Sequence, residues 1–264
     1  HGGEATEGVI DEAIRHSITK MSHLHFTAAK EYRKKVIQLG EEPNRVFYVG
    51  GVGIESIKRL KLLTKKDLEK SINFKLNIKN ILVTYHPVTL EGKTSKKNFQ
   101  ELLDAIDELK DTNIIFTKAN SDMDGKVINQ MIKQYTKKNF EKSIGVTSLG
   151  QLNYLSALQY IDFIIGNSSS GLLEAPSFKT GTINIGDRQN GRLKAESVVD
   201  CLPNKKNIKR AIKKIYSNRF QNILKDVKNP YDHGCVSKKI TKVLKKVKLD
   251  EILKKNFFNI KFPL

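Results

Sequence analysis

Residues 166–176 read GNSSSGLLEAP, small polar residues and two glycines set between the apolar run IDFII and a second one, GTINIGD. A helix that begins near residue 169 presents first-turn N–H groups with no intrahelical acceptor, together with the positive end of its dipole. Ser168, Ser169 and Ser170 add hydroxyl donors there and Gly171 allows close approach, which is the chemistry of a diphosphate cradle. The same residues also serve as an ordinary N-cap, because Asn and Ser are preferred at that position for structural reasons alone. The stretch matches neither a P-loop nor GxGxxG. Glu174 favours a nucleotide over free phosphate: a carboxylate within the first helical turns accepts both hydroxyls of a ribose whose phosphates rest on the same N-terminus.

Two further constellations carry chemistry. In TYHPVT, His86 follows an apolar run and Pro87 stiffens the exit, so that His86 could donate to a phosphate oxygen or move a proton near neutral pH; a histidine satisfied within the fold is the alternative. HGGEATEGVIDEAIRH gathers Glu4, Glu7, Asp11 and Glu12 with His1, Arg15 and His16. Asp11 and Arg15 are four apart and share a helix face. Either the acids complement a helix dipole, or a carboxylate held by Arg15 does general acid–base work.

Elements that would position these residues are visible in the periodicity. Val9, Ile10, Ala13, Ile14, Ile18 and Met21 recur at helical spacing and predict a helix over 8–22 with one buried face. A short strand in HLHFTA, a helix over 28–39 ending at Gly40, and a buried strand in RVFYVGG follow. Further on, NILVTYHP, NIIFTKAN, IDFIIGNS and GTINIGD read as strands, with helical stretches such as KKNFQELLDAIDELK between them. This alternation predicts βαβ units and a parallel sheet covered by helices on both faces. Ligands bind beyond the carboxyl ends of such strands, where His86 and the serine stretch fall.

Composition narrows the function classes. The chain has 264 residues, 39% of them hydrophobic, enough for a sizeable core and against disorder. No apolar run approaches the ~20 residues of a membrane span. Cys201 and Cys235 lack CxxC spacing, which argues against a metal site or disulfide framework and makes a reducing cytoplasm the default. Net charge is +19, and 18 of the 47 Lys and Arg but 4 of the 28 Asp and Glu fall in residues 201–264. Only 8 of the 47 are Arg; Lys on amphipathic helices suits a solvated face better than bidentate reading of nucleic acid. There is no initiator Met and no signal-peptide pattern at the start, and the expectation is a chain truncated at its N-terminus.

Together HGGE, IDEAIRHSITKMSHLHF, YHPVT, GNSSSGLLEAP and INIGDRQNGR resemble the hydrolysing UDP-N-acetylglucosamine 2-epimerases of sialic acid biosynthesis and their diacetylbacillosamine-nucleotide relatives. The resemblance implies an α/β, GT-B-like fold of two Rossmann-like domains with parallel sheets, the first of them incomplete. Residues 1–60 would complete the first domain, 61–78 form a junction, 79–235 form the nucleotide-binding domain, and 236–264 pack back across the cleft. It implies Ser168 and Ser169 as diphosphate ligands with Ser170 and Gly171 beside them, Glu174 on the ribose, His86 by the phosphates, Tyr154 near the uracil and Arg188 facing the cleft. Asp11 corresponds to an active-site carboxylate with Glu4 close by, and His1 stands where several relatives place another. The implied reaction converts UDP-N-acetylglucosamine to N-acetylmannosamine and UDP through a 2-acetamidoglucal, with neither metal nor nicotinamide cofactor. The expected partners are a nucleotide sugar and further copies of the chain, not nucleic acid or membrane, and this stretch alone is expected to be inactive. The alternatives are the same reaction on GDP- or UDP-linked diacetylbacillosamine, a GT-B glycosyltransferase, and a basic nucleic-acid-binding module.

Overall fold

The computed structural model describes residues 2–5, 11–88, 94–119, 123–250 and 252–260, with only the backbone of Asp11, Met123 and Asp124. The chain runs α1 (Asp11–Met21), β1 (His25–Thr27), α2 (Lys30–Gln38), β2 (Val46–Tyr48), α3 (Val52–Arg59), α4 (Lys65–Ile72), β3 (Lys79–Thr84), α5 (Ser95–Ile106), β4 (Thr112–Thr117) and α6 (Met123–Lys138). It continues through β5 (Ser143–Val146), α7 (Gly150–Ala157), β6 (Phe163–Gly166), α8 (Ser170–Leu173), β7 (Gly181–Ile185), β8 (Val198–Cys201), α9 (Lys205–Ile215), α10 (Asn218–Asp226) and α11 (Val236–Leu244). These elements form two compact units. Unit 1 holds His1–Arg59, Asn190–Arg192 and Pro230–Leu264; unit 2 holds Leu60–Gln189 and Leu193–Asn229. Residues 61–78, read as a junction from the sequence, thus lie in unit 2, and the chain returns to unit 1 at Pro230. Among the described residues no helix is long and apolar enough to cross a membrane.

Unit 2 is built on a six-stranded parallel sheet in the order β5-β4-β3-β6-β7-β8, the doubly wound order in which the chain starts at β3, works outward to one edge, then returns to β6 and works to the other. Strand alternation explains its two covered faces. Ile81 and Val83, Ile114 and Phe116, Phe163 and Ile165, and Ile183 and Ile185 share one core with Phe99, Leu102 and Ile106 of α5 and Ile208, Ile212 and Ile215 of α9. Leu82, Ile115 and Ile164, also buried, are in register with one another and with Thr182 on the opposite face. There Gly171 of α8 comes so close that a Cβ would stand 2.5 Å from Thr182 Cγ2. With both faces covered, the central strands read as continuous apolar runs, and this made them legible in the sequence.

Unit 1 contains the parallel pair β1–β2 with α2 beside it. Its C-terminal segment is tied down by charge and backbone. Glu41 is fully buried and receives Lys20 Nζ at 2.6 Å, Lys255 Nζ at 2.8 Å and His25 Nε2 at 2.8 Å. Burial pushes that carboxyl up, but the hydrogen bonds from Lys20, Lys255 and His25 outweigh it and hold the group below the usual glutamate range. Phe258 N–H adds a bond to Gly40 O at 2.9 Å.

One sequence expectation is corrected here. Helix α1 does form, from Asp11, while Val9 and Ile10 lie outside the described residues. Its apolar stripe is not the buried face: Ile14, Ile18 and Met21 are 55%, 53% and 78% exposed, and Thr19 is 1% exposed. The helix packs through its small polar residue because Thr19 Oγ1 is satisfied within the helix by Arg15 O at 3.0 Å. Gly2 leaves the space, since a Cβ there would stand 2.7 Å from that hydroxyl oxygen.

Candidate nucleotide site of unit 2

In a parallel sheet whose order reverses between β3 and β6, the loops leaving those two strands diverge to opposite faces and open a crevice at their carboxyl ends. The loop after β3 carries Tyr85, His86 and Pro87; the loop after β6 carries Asn167, Ser168 and Ser169, and leads into α8. Gly166 makes the junction possible: its φ is +144°, and a Cβ would lie 1.9 Å from Thr84 O. Only glycine lets the two strand exits press together so closely.

Asn167, 1% exposed, locks the exits. Its Oδ1 accepts from His86 N–H at 2.7 Å and its Nδ2 donates to His86 O at 2.7 Å. Its own backbone carbonyl accepts from Arg188 Nη1 at 3.1 Å and Gln189 Nε2 at 2.8 Å. His86, the serine loop and the turn after β7 are thereby held at one place. Ser168 and Ser169 are half-buried at the loop's surface. The Ser170 hydroxyl is committed to a short hydrogen bond with Tyr154 OH, and Gly171 is turned to β7, where it serves close helix–strand packing. Burial pushes the Tyr154 phenol above its ordinary range, the Ser170 bond opposes this, and the charge of Glu174 adds to it. Helix α8 is a single turn, because Pro176 follows at once and the chain continues as a 3₁₀ turn, Ala175–Phe178.

The eight residues expected to bind a nucleotide, His86, Tyr154, Ser168, Ser169, Ser170, Gly171, Glu174 and Arg188, all belong to unit 2. Glu4 and Asp11 belong to unit 1. Glu4 pairs there with Arg192 Nη2 at 3.5 Å, both side chains largely buried. Asp11 opens α1, and its side chain, like His1 and Glu7, lies outside the described residues; Arg15, the expected partner of Asp11, has Glu12 Oε2 at 3.8 Å. Sequence reasoning missed Asn167 and Gln189, the latter 1% exposed. The available signal was an Asn directly after a strand-ending glycine and a Gln directly after Arg188.

The site brings together a guanidinium, the histidine loop and two half-buried hydroxyls, and it suits an anion with more than one charged group. A GDP/UDP-N,N'-diacetylbacillosamine 2-epimerase (hydrolyzing) of Campylobacter jejuni is 47% identical over 98% of this chain and 67% of its own length. A polysialic acid biosynthesis protein of Escherichia coli is 42% identical over 88% of this chain and 59% of its own length. Among solved structures, UDP-GlcNAc 2-epimerase from Neisseria meningitidis bound to UDP-GlcNAc superposes with a TM-score of 0.78 at 17% identity, covering 93% of this chain and 68% of that one; the α/β fold with parallel sheets is thus that of the GT-B-like 2-epimerases. The chain spans 52% to 67% of the length of the curated relatives it matches. The family described as UDP-N-acetylglucosamine 2-epimerase matches residues 1–245, and the chain belongs to that family.

Proposed function

We propose that the protein is a hydrolysing nucleotide-sugar 2-epimerase. The observation that carries the reading is the convergence of His86, Ser168, Ser169 and Arg188 on the β3–β6 crevice. In the first step a base removes the C2 proton, the C1–O bond to the diphosphate breaks, and the electron pair forms a C1=C2 double bond. Water then adds across it to give the free 2-epimeric sugar. Charge grows on the departing diphosphate, so donors fixed in advance stabilise the transition state more than the ground state. Arg188 and the hydroxyls of Ser168 and Ser169 are those donors, with His86 beside the phosphates, Tyr154 near the base and Glu174 on the ribose. Glu4 and Asp11 of unit 1 are the candidates for proton transfer. UDP-N-acetylglucosamine was the first expectation for the substrate. The 47% identity to a relative named for diacetylbacillosamine nucleotides, against 29% to a UDP-N-acetylglucosamine 2-epimerase of Neisseria meningitidis, favours the diacetylated sugar.

Full-length protein, incubated with each nucleotide sugar and no acceptor, is expected to release nucleoside diphosphate and the free 2-epimer, fastest from the UDP- or GDP-linked diacetylbacillosamine. Sugar transfer that requires an added acceptor would establish a glycosyltransferase instead. Glu174→Ala is expected to weaken UDP binding with the fold intact; unchanged affinity by calorimetry removes the ribose role.

A further inference from the structure

The Asn167 side chain does not reach outward. It continues the β3–β6 ladder one residue past its last strand pair, Thr84–Gly166: the backbone N–H of Asn167 reaches Thr84 O at 3.1 Å, and the side-chain amide then takes both main-chain groups of His86. An asparagine bracket of the same kind recurs twice in unit 2. Asn129 holds Ala119 N–H at 2.8 Å and Ala119 O at 3.2 Å, and Asn80 holds Asn77 N–H at 2.9 Å and Asn77 O at 3.0 Å. The bracket thus serves unit 2 three times among the described residues to satisfy and stiffen loop backbone outside the ladder. Asn167 differs in what it joins. Through its side chain it holds the histidine loop, through its carbonyl it holds Arg188 and Gln189, and its own chain begins the serine loop.

We propose that Asn167 is a positioning residue of the nucleotide site, fixing His86 and Arg188 at a set spacing around Ser168 and Ser169 so that the diphosphate meets donors already in place. This rests on the reading of the crevice as a nucleoside-diphosphate site. Removing the bracket frees the β3 exit, and the donors must then be ordered by the ligand at the expense of affinity. The loss falls on the diphosphate and spares the nucleoside, because the bracket touches neither Tyr154 nor Glu174. A residue that merely stabilised unit 2 would weaken both alike.

The test is titration of the wild-type chain and two variants with UDP or GDP, whichever the wild type binds more tightly, and with the matching nucleoside, followed by calorimetry or ligand NMR. Asn167→Ala is expected to raise the Kd for the diphosphate about tenfold, the cost of ordering the freed donors on binding, while nucleoside binding stays within about twofold. Asn167→Asp keeps the shape and the acceptor for His86 N–H but sets an oxygen against His86 O; it is expected to show the same selective loss and supplies the answer if the alanine variant does not fold. Diphosphate affinity within about twofold of wild type in a folded variant, or equal losses for diphosphate and nucleoside, overturns the positioning role alone. A wild-type chain that binds neither UDP nor GDP overturns both this role and the functional reading beneath it.

Discussion

The two ends of the unit 2 sheet use the same chemistry to opposite purpose. At the amino end of β3, Asn80 brackets Asn77, donates to Tyr160 O at 3.2 Å, and gives its backbone N–H to Asp162 Oδ2 at 2.6 Å; Asp162 N–H returns a bond to Asn80 O at 2.8 Å. Those ties join β3 to the start of β6 through loop backbone and one carboxylate. At the carboxyl end, Asn167 joins the same two strands, but its partners carry a histidine and a guanidinium, and its own loop carries hydroxyls at the surface. The lesson concerns strand polarity. In a parallel sheet the order reverses once, and at the carboxyl ends that reversal separates the loops into a crevice. A buried asparagine is thus a structural tie at one end and part of a preorganised site at the other.

The strongest way to break this comparison is to separate the strand exits at the carboxyl end. Gly166→Ala places a Cβ 1.9 Å from Thr84 O at a φ of +144°, and urea unfolding is expected to show a loss of about 3 kcal/mol or more. A loss below about 1 kcal/mol would mean that the exits part easily. Next in size is Asn80→Ala. With the bonds to Asn77 and Tyr160 gone from a buried position, stability should fall by about 2 kcal/mol, yet UDP affinity should stay at the wild-type level. A tenfold weaker UDP complex there would erase the distinction between the two ends.

The smallest effect tests the charge at the amino end. Burial raises the Asp162 carboxyl above 3.8, against the hydrogen bond from Asn80 N–H that lowers it. For an acid whose folded pKa is raised, the folded state binds more protons in the window between the unfolded and folded values, so stability falls as pH rises through that window. Asp162→Asn should therefore stabilise the protein slightly at pH 7, by less than about 1 kcal/mol, and the gain should fade as pH drops toward 3.8. Thermal melts of both proteins across pH 3–8 measure this, and a variant less stable than wild type at pH 7 would show that ionised Asp162 is a net asset.

Legibility in the sequence followed burial on both faces. β3, β4, β6 and β7 occupy the inner positions of the sheet and stood out as apolar runs. β5, SIGV, and β8, VVDC, are four-residue edge strands, too short and mixed to announce themselves. In α1 the period was legible and the side was not, because spacing fixes a stripe without saying which face a neighbour covers. At the site, Ser168, Ser169 and His86 were visible as polar residues at strand exits, and Arg188 came only with the family resemblance. Asn167 and Gln189 were not, since their side chains act on the chain itself, and only the folded geometry brings their partners, up to 81 residues away in sequence, within reach.

The central claim is that the β3–β6 crevice of unit 2 takes the nucleoside diphosphate. Backbone amide shifts followed during titration with UDP or GDP test it most directly. The largest changes are expected at His86 and at Ser168 through Gly171, with smaller ones at Arg188 and Tyr154 and none at Asn77 or Asn80. Saturable changes confined to other surfaces, with the serine loop unmoved, would contradict it.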